Sequence, residues 1–319
     1  MSRAIVSRPV MIGIVGDSAA GKTTITRGLV RALGEDNVVA VCTDDYHKYD
    51  RTQRAEMKIT PLNPDCNYVD IMGQHLQDLR NNKAILKPVY QHTDGTFGPP
   101  VYVEPRRFTI IEGLLAFHTQ EMRDVFDIRI YLDPPEELRR KWKVTRDTTK
   151  RGYTTDKVLA ELDRREPDSA AFIRPQKQYA DLVIAFQPAE GRDQSQLDAF
   201  ITLHPGLAHP DLAEIINGDS DGLELKREGE SEVLFVPGEL DRKRAKEIEE
   251  HIWKSLHFAQ HLRSGRLGEF TVGTDLRRSE ALALTQLLMF YHALTARASV
   301  ALGGGGTREQ HKVDAEPSS

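Results

Sequence analysis

Residues 16 to 23 read Gly16-Asp17-Ser18-Ala19-Ala20-Gly21-Lys22-Thr23, the G-x-x-x-x-G-K-[ST] spacing of a phosphate-binding loop. Glycine at both ends lets the chain turn tightly enough for successive backbone N–H groups to converge on phosphate oxygens. Lys22 is long enough to reach the β and γ oxygens, the Thr23 hydroxyl is a hard ligand for Mg²⁺, and Thr24 leads on from it. The spacing implies a nucleoside triphosphate with its metal, ATP and Mg²⁺ being the expected pair. Such a site further needs a carboxylate for the metal, cations for the developing charge, and a group that orients or deprotonates the acceptor.

The elements that must position these groups follow from the apolar pattern. Met11-Ile12-Gly13-Ile14-Val15 reads as a buried parallel strand, and Thr23 to Leu33 as a helix whose N-terminus favours anions. Further β-branched runs at Val38 to Cys42, Phe108 to Ile111, Ile128 to Leu132 and Leu182 to Phe186, separated by helical stretches, predict an α/β fold: a doubly wound, mostly parallel sheet. Ligands of such sheets bind at the carboxyl ends of the strands. Two candidate segments lie directly after strands, Asp44 to Arg51 and Glu112-Gly113, and the basic stretch Lys141 to Arg151 is a third.

Glu112, at a strand tip beside a flexible Gly113, suits a metal contact, direct or through water. Asp44 is the expected general base, since a carboxylate near ATP need only hold the acceptor proton as the O–P bond forms. One of Asp44 and Asp45 is expected to cap the turn that follows. Lys143, Arg146 and Asp147 share a helix face in the expected lid, about residues 136–152, and Arg151 closes that stretch. These cations could neutralise transition-state charge or belong to an ion-paired exposed helix. His47 and Arg51 could bind a sugar phosphate or form a solvated loop.

Composition narrows the classes. The 319-residue chain has 39% apolar and 29% charged residues and a net charge of −5, so it lacks the general basic surface used for nucleic acid. Nothing approaches the ~20 apolar residues of a membrane span, and the first ten residues are too polar for a signal peptide, which predicts a cytoplasmic protein. Cys42 and Cys66 lack metal spacing and are expected to be reduced.

Beyond residue 190 no chemical motif is legible. A strand is expected at Val233 to Val236, then helices at Asp241 to Leu262 and Ser279 to Val300, whose stripes Ile248, Ile252, Leu256, Ala259 and Leu284, Leu287, Leu288, Tyr291, Leu294 read as core packing. The expected organisation is a kinase-type core over 1–190, a small α+β extension over 191–302 packed on it, and a polar, disordered tail over 303–319.

These motifs together resemble the phosphoribulokinases, P-loop sugar kinases related to uridine kinases. The resemblance is carried by the phosphate loop, Thr43-Asp44-Asp45-Tyr46-His47 with Asp50-Arg51, Leu62-Asn63-Pro64, Lys87-Pro88-Val89-Tyr90-Gln91-His92, Ile111-Glu112-Gly113-Leu114, Lys143 to Tyr153, and Arg174-Pro175-Gln176-Lys177-Gln178-Tyr179-Ala180-Asp181. It implies a P-loop NTPase-type fold, a homodimer, and ATP-dependent conversion of ribulose 5-phosphate to the 1,5-bisphosphate of carbon fixation. It further implies that Asp44 takes the C1 hydroxyl proton, that Glu112 and Thr23 act at the metal, and that Lys143, Arg146 and Asp147 act around the phosphoryl group. His47, Arg51, Tyr90, His92 and Arg151 match positions associated with the sugar phosphate. A basic, histidine-containing loop favours a phosphorylated acceptor over the uncharged nucleoside of a uridine kinase; a catalytically silent nucleotide-binding regulator is the third reading. Light-regulated members carry a cysteine in the phosphate loop where this chain has Ala19-Ala20, so the resemblance does not extend to a disulfide switch.

Overall fold

Strand β1 (Val10–Gly16) is buried along its whole length, and its alternating side chains seed two cores. Val10, Ile12 and Ile14 face one, Met11 and Val15 the other. The structure is a computed structural model that describes residues 7–189, 196–216, 222–263, 265–272 and 275–305. In chain order β1 is followed by α1 (Lys22–Leu33), β2 (Val38–Cys42), α2 (Arg51–Met57), α3 (Val69–Arg80), the hairpin β3 (Ile85–Gln91) and β4 (Thr96–Val103), and β5 (Phe108–Gly113). Then come α4 (Gln120–Arg123), β6 (Ile128–Leu132), α5 (Glu136–Arg151), α6 (Thr155–Asp168) and β7 (Leu182–Pro188). All five strands expected from apolar runs form.

Those five pair in the order β2-β5-β1-β6-β7, each neighbour parallel. Burial on both faces suits their near-continuous apolar sequences. The sheet then runs on through three antiparallel strands, β8 (Leu197–Leu203), β9 (Glu224–Glu228) and β10 (Ser231–Val236), in the spatial order β8-β10-β9, with the short helix α7 (Ala213–Ile216) between β8 and β9 in the chain. The segment after residue 196 therefore extends the same sheet. The expected boundary at 190/191 falls outside the described residues, as do 306–319 of the expected tail.

The last helices close the first core. The helix expected over Asp241 to Leu262 ends early, as α8 (Arg242–Ser255) capped by Asp241, and the chain continues as a 3₁₀ turn. A short hairpin, β11 (Glu269–Val272) and β12 (Asp275–Arg278), precedes α9 (Glu280–Ala301). Helix α9 has no charged residue between Glu280 and Arg297 and is buried nearly all round, so the predicted stripe understates its contacts. It packs on α1, β1, β8 and α8. There Gln286 lies so close to Gly28 that a Cβ at position 28 would be 2.0 Å from its Nε2.

The β3–β4 hairpin, which the sequence reading did not predict, stands apart from the main sheet. Its ladder slips between Lys87 and Val89, where Pro88 lacks an N–H to donate. Among the described residues no helix is long and apolar enough to cross a membrane, and Cys42 and Cys66 are unpaired.

Candidate active site

The phosphate loop joins β1 to α1 at the carboxyl edge of the sheet. Gly21, in the left-handed region at φ 97°, turns the chain into the first turn of α1. Lys22 Nζ donates to the carbonyls of Gly16 (2.7 Å) and Asp17 (2.9 Å). Burial pushes its pKa down, while the charges of Asp44, Glu112 and Asp17 pull it back up. Lys22 therefore lies within the field of both acidic strand tips, Asp44 and Glu112.

The tips of β2 and β5 are locked together. Thr43 Oγ1 accepts from the Leu114 N–H at 3.2 Å, and a Cβ at position 113 would lie 1.7 Å from that oxygen, so only glycine fits. One 3₁₀ turn, Thr43–Tyr46, then sends successive side chains in different directions. Neither aspartate caps this turn, contrary to expectation. Asp45 faces the β3–β4 hairpin, where it accepts from the Tyr90 N–H at 2.9 Å and pairs with Lys87. Asp44 is left with a buried Oδ1 that has no hydrogen-bond partner. A buried acceptor without a donor is costly unless a ligand supplies one.

Glu112 is half-buried and accepts from Thr26 Oγ1 at 3.0 Å. Burial pushes its pKa up, and Lys22 opposes that rise. Its second oxygen and the exposed Thr23 hydroxyl are hard donors of the kind Mg²⁺ takes. Among the described residues no group of three or more His, Cys, Asp or Glu could hold a metal. Few protein ligands fit a cation that shares triphosphate oxygens and water.

The acceptor side contains one correction. His47 is 4% exposed, and its ring lies edge-on to Tyr90 at 4.8 Å. Asn67 Nδ2 donates to the carbonyls of Asn63 (2.8 Å) and Pro61 (3.1 Å), so its Oδ1 must accept from His47 Nδ1–H at 2.8 Å. Burial lowers the His47 pKa to about 4, with the Asp44 charge opposing. His47 is neutral at pH 7 and supplies no positive charge for a phosphate. Tyr90 is buried too, its hydroxyl accepting from Arg54 Nη2 at 2.5 Å, so it forms a wall of the site.

Arg51 begins α2 behind a capping box made by Asp50 and Gln53 and donates to the His92 carbonyl at 2.7 Å. His92 is exposed; desolvation lowers its pKa, and the charges of Asp44, Arg151, Asp45 and Arg146 all reach it. The hairpin, the turn after β2 and the lid helix thus meet at His92. In α5, Lys143 Nζ donates to Ser18 Oγ (3.2 Å) and Asp147 Oδ2 (3.1 Å), while Arg146 Nε donates to Asp147 Oδ1 at 2.8 Å. Arg151 lies 3.4 Å from the same carboxylate. Burial, then the neighbouring Arg165 and Arg146, lowers the Lys143 pKa to about 8. Asp147 is pushed up by burial, but the Arg146 hydrogen bond and the Lys143, Arg146 and Arg151 charges outweigh that and hold it at about 2. Asp147 orients three cations, and Lys143 and Asp147 are buried rather than solvated.

Two residues escaped the sequence reading, and a third, Gln176, belongs to a segment that carries the resemblance but has no role there. Arg139, 4% exposed, reaches from α5 to the phosphate loop. It precedes Lys143 by four residues, a helical spacing that could have flagged it. Ser169, in the turn after α6, donates to Asp17 Oδ2, and only the fold places it there. Gln176 clamps the chain leaving β5: its Oε1 accepts from the Phe117 N–H at 2.9 Å and its Nε2 donates to the Leu114 carbonyl at 2.7 Å.

Comparison with known proteins gives the family of the chain. Residues 11–191 match the model of the Phosphoribulokinase / Uridine kinase family. A phosphoribulokinase of Synechocystis sp. is 41% identical over 181 residues, 57% of this chain and 54% of that protein. A uridine kinase of Limosilactobacillus reuteri is 32% identical over 199 residues, 61% of this chain and 90% of the relative. The chain spans about half the length of the phosphoribulokinases it matches. In fold it is similar to the solved phosphoribulokinase from Rhodobacter spheroides, with a TM-score of 0.57 at 18% identity over 80% of this chain and 97% of that one. With the phosphate loop, both acidic strand tips and the basic lid helix inside the matched residues, the chain belongs to the phosphoribulokinase/uridine kinase family.

Proposed function

We propose that this chain transfers the γ-phosphoryl group of ATP to the C1 hydroxyl of D-ribulose 5-phosphate, giving ribulose 1,5-bisphosphate and ADP. The observation that carries the reading is the buried, unpartnered Asp44 Oδ1 within reach of the Lys22 charge, an acceptor that lacks only a donor hydroxyl. Likeness to phosphoribulokinases of cyanobacterial and plant origin supports the choice of sugar phosphate.

In this mechanism Asp44 holds the C1 hydroxyl and takes its proton as oxygen attacks in line. Lys22, Lys143 and Arg146 neutralise charge on the transferring group, with Asp147 aligning the lid cations. Arg51 and Arg151 suit the 5-phosphate, because guanidinium can pair with it bidentately. Thr23 and Glu112 would hold Mg²⁺, which neutralises the β- and γ-phosphate oxygens when bound.

A nucleoside acceptor is the second reading, favoured by the neutral His47 ring near Asp44, which brings no positive charge to the acceptor side. ADP release with ATP and Mg²⁺ separates the readings, using ribulose 5-phosphate, ribose 5-phosphate, uridine, cytidine and no acceptor. Turnover confined to ribulose 5-phosphate is expected. Turnover with uridine or cytidine moves the chain to the nucleoside kinases, and binding of ATP without any acceptor-dependent turnover leaves a nucleotide-binding regulator.

A further inference from the structure

The phosphate loop carries its own carboxylate. Asp17 is 7% exposed and occupies the second position of a loop whose ligand is a polyanion. A buried negative charge there would oppose triphosphate binding unless something cancels it. The loop supplies no cation beyond Lys22, whose amine is directed to the Gly16 and Asp17 carbonyls. The cancelling charge comes from α5, far along the chain.

Arg139 lies 3.5 Å from Asp17 Oδ1, and its Nη1 donates to the Ser18 carbonyl at 3.1 Å. Its Nε and Nη2 donate to the two oxygens of Glu136 at 2.8 and 2.7 Å, which sets the plane of the guanidinium. Each of its three nitrogens thus makes a hydrogen bond within the protein. Asp17 Oδ1 meanwhile accepts from the Ser18 N–H at 2.6 Å. Ser18 is held from both sides, its N–H by Asp17 and its carbonyl by Arg139. The next residue, Ala19, adopts φ 69°, a left-handed conformation that a residue with a Cβ enters only when its surroundings enforce it.

We infer that Arg139 is a positioning residue for the phosphate loop: it neutralises Asp17 and holds the Ser18 carbonyl, so that the loop accepts a triphosphate. This rests on the reading that the loop binds ATP. The same contact ties the start of α5 to the loop, one helical turn before Lys143 reaches Ser18 Oγ.

The test is ATP–Mg²⁺ affinity by titration calorimetry, with the acceptor KM measured in parallel. Arg139→Gln should bind ATP about tenfold or more weakly, since it leaves an uncancelled carboxylate beside the phosphates, while the acceptor KM stays within about twofold. Arg139→Lys, which retains the charge, should fall within about threefold of wild type. Removing the opposing charge as well, in Asp17→Asn/Arg139→Gln, should recover most of the loss. Wild-type affinity in Arg139→Gln, no recovery in the double variant, or equal weakening in the Lys and Gln variants overturns the inference while leaving ATP binding intact. If Arg139→Gln does not fold, the double variant still decides: affinity within about threefold of wild type supports charge cancellation, and tenfold weakening overturns it. A wild-type protein that binds no ATP overturns both this inference and the reading beneath it.

Discussion

Residues 7–189 and 196–305 bury different chemistry. The first region holds Asp17, Arg54, Arg139, Lys143 and Asp147 at less than 9% exposure, together with the unpartnered Asp44 oxygen. The second packs the 22-residue α9, with Leu287, Leu288, Phe290 and Leu294, beneath the helix that carries the phosphate loop. Burying charge costs stability unless each group is paired, and even paired ions rarely repay their desolvation. Burying apolar area is the dominant favourable contribution to folding. The region matched by family members thus carries the chemistry, and the region outside that match carries much of the apolar support for it.

The most severe challenge to this division is Asp44→Asn. It should lower kcat by about 10²–10⁴-fold, the range for a lost general base, while ATP affinity measured without acceptor stays near that of wild type. Normal turnover would remove Asp44 from the mechanism. The mirror-image change is Leu288→Ala in α9, where urea unfolding should show a loss of about 2–5 kcal/mol. Its kcat per folded molecule should be unchanged, and a selective loss of kcat would dissolve the contrast between the regions.

Acid should act on both regions. His209 Nε2 donates to the His204 carbonyl at 2.8 Å, so its Nδ1 can only accept, from His292 Nε2–H at 3.1 Å. Burial, then proximity to His209, lowers the His292 pKa to about 3. The folded state refuses a proton that the unfolded state takes up near pH 6.5, so the contribution of His292 is full above that pH and is lost on the way down to about 3. Each such group adds a slope of about 1.4 kcal/mol per pH unit, and His47 adds a second down to about 4. Denaturant titrations between pH 7 and 4 should show this fall, and His292→Phe should flatten it. The smallest effect is expected from disulfide reagents. Burial and the nearby Asp44 and Glu112 charges push the Cys42 thiol well up, suppressing the reactive thiolate, and Cys66 is pushed to about 11 mainly by burial. ATP affinity should be unaltered by such treatment at pH 7, and a marked loss would show that Cys42 is more reactive than its surroundings allow.

The phosphate loop was legible because its function depends on backbone turns and short reach, which local spacing encodes. The placement of Asp44 and Glu112 at strand tips and of Lys143, Arg146 and Asp147 along one helix was legible for a related reason, since each follows an apolar run or falls at helical spacing. The β3–β4 hairpin was not, because Pro88 interrupts its pattern and its strands pair outside the main sheet. The apolar stripe on α9 predicts one buried face because periodicity reports only the most apolar side, whereas its burial depends on what surrounds it.

The amino-acid sequence by itself determined the triphosphate loop, the five parallel strands and the acidic residues at two of their tips, each written in a short contiguous stretch of chain. The tertiary structure alone decided that Asp45 is tied to the β3–β4 hairpin while Asp44 keeps an unpartnered oxygen, that His47 is neutral, that Arg139 and Ser169 meet at Asp17, and that α9 lies beneath α1. Those outcomes depend on desolvation and on partners distant in the chain. Both are properties of packing, which local spacing does not encode.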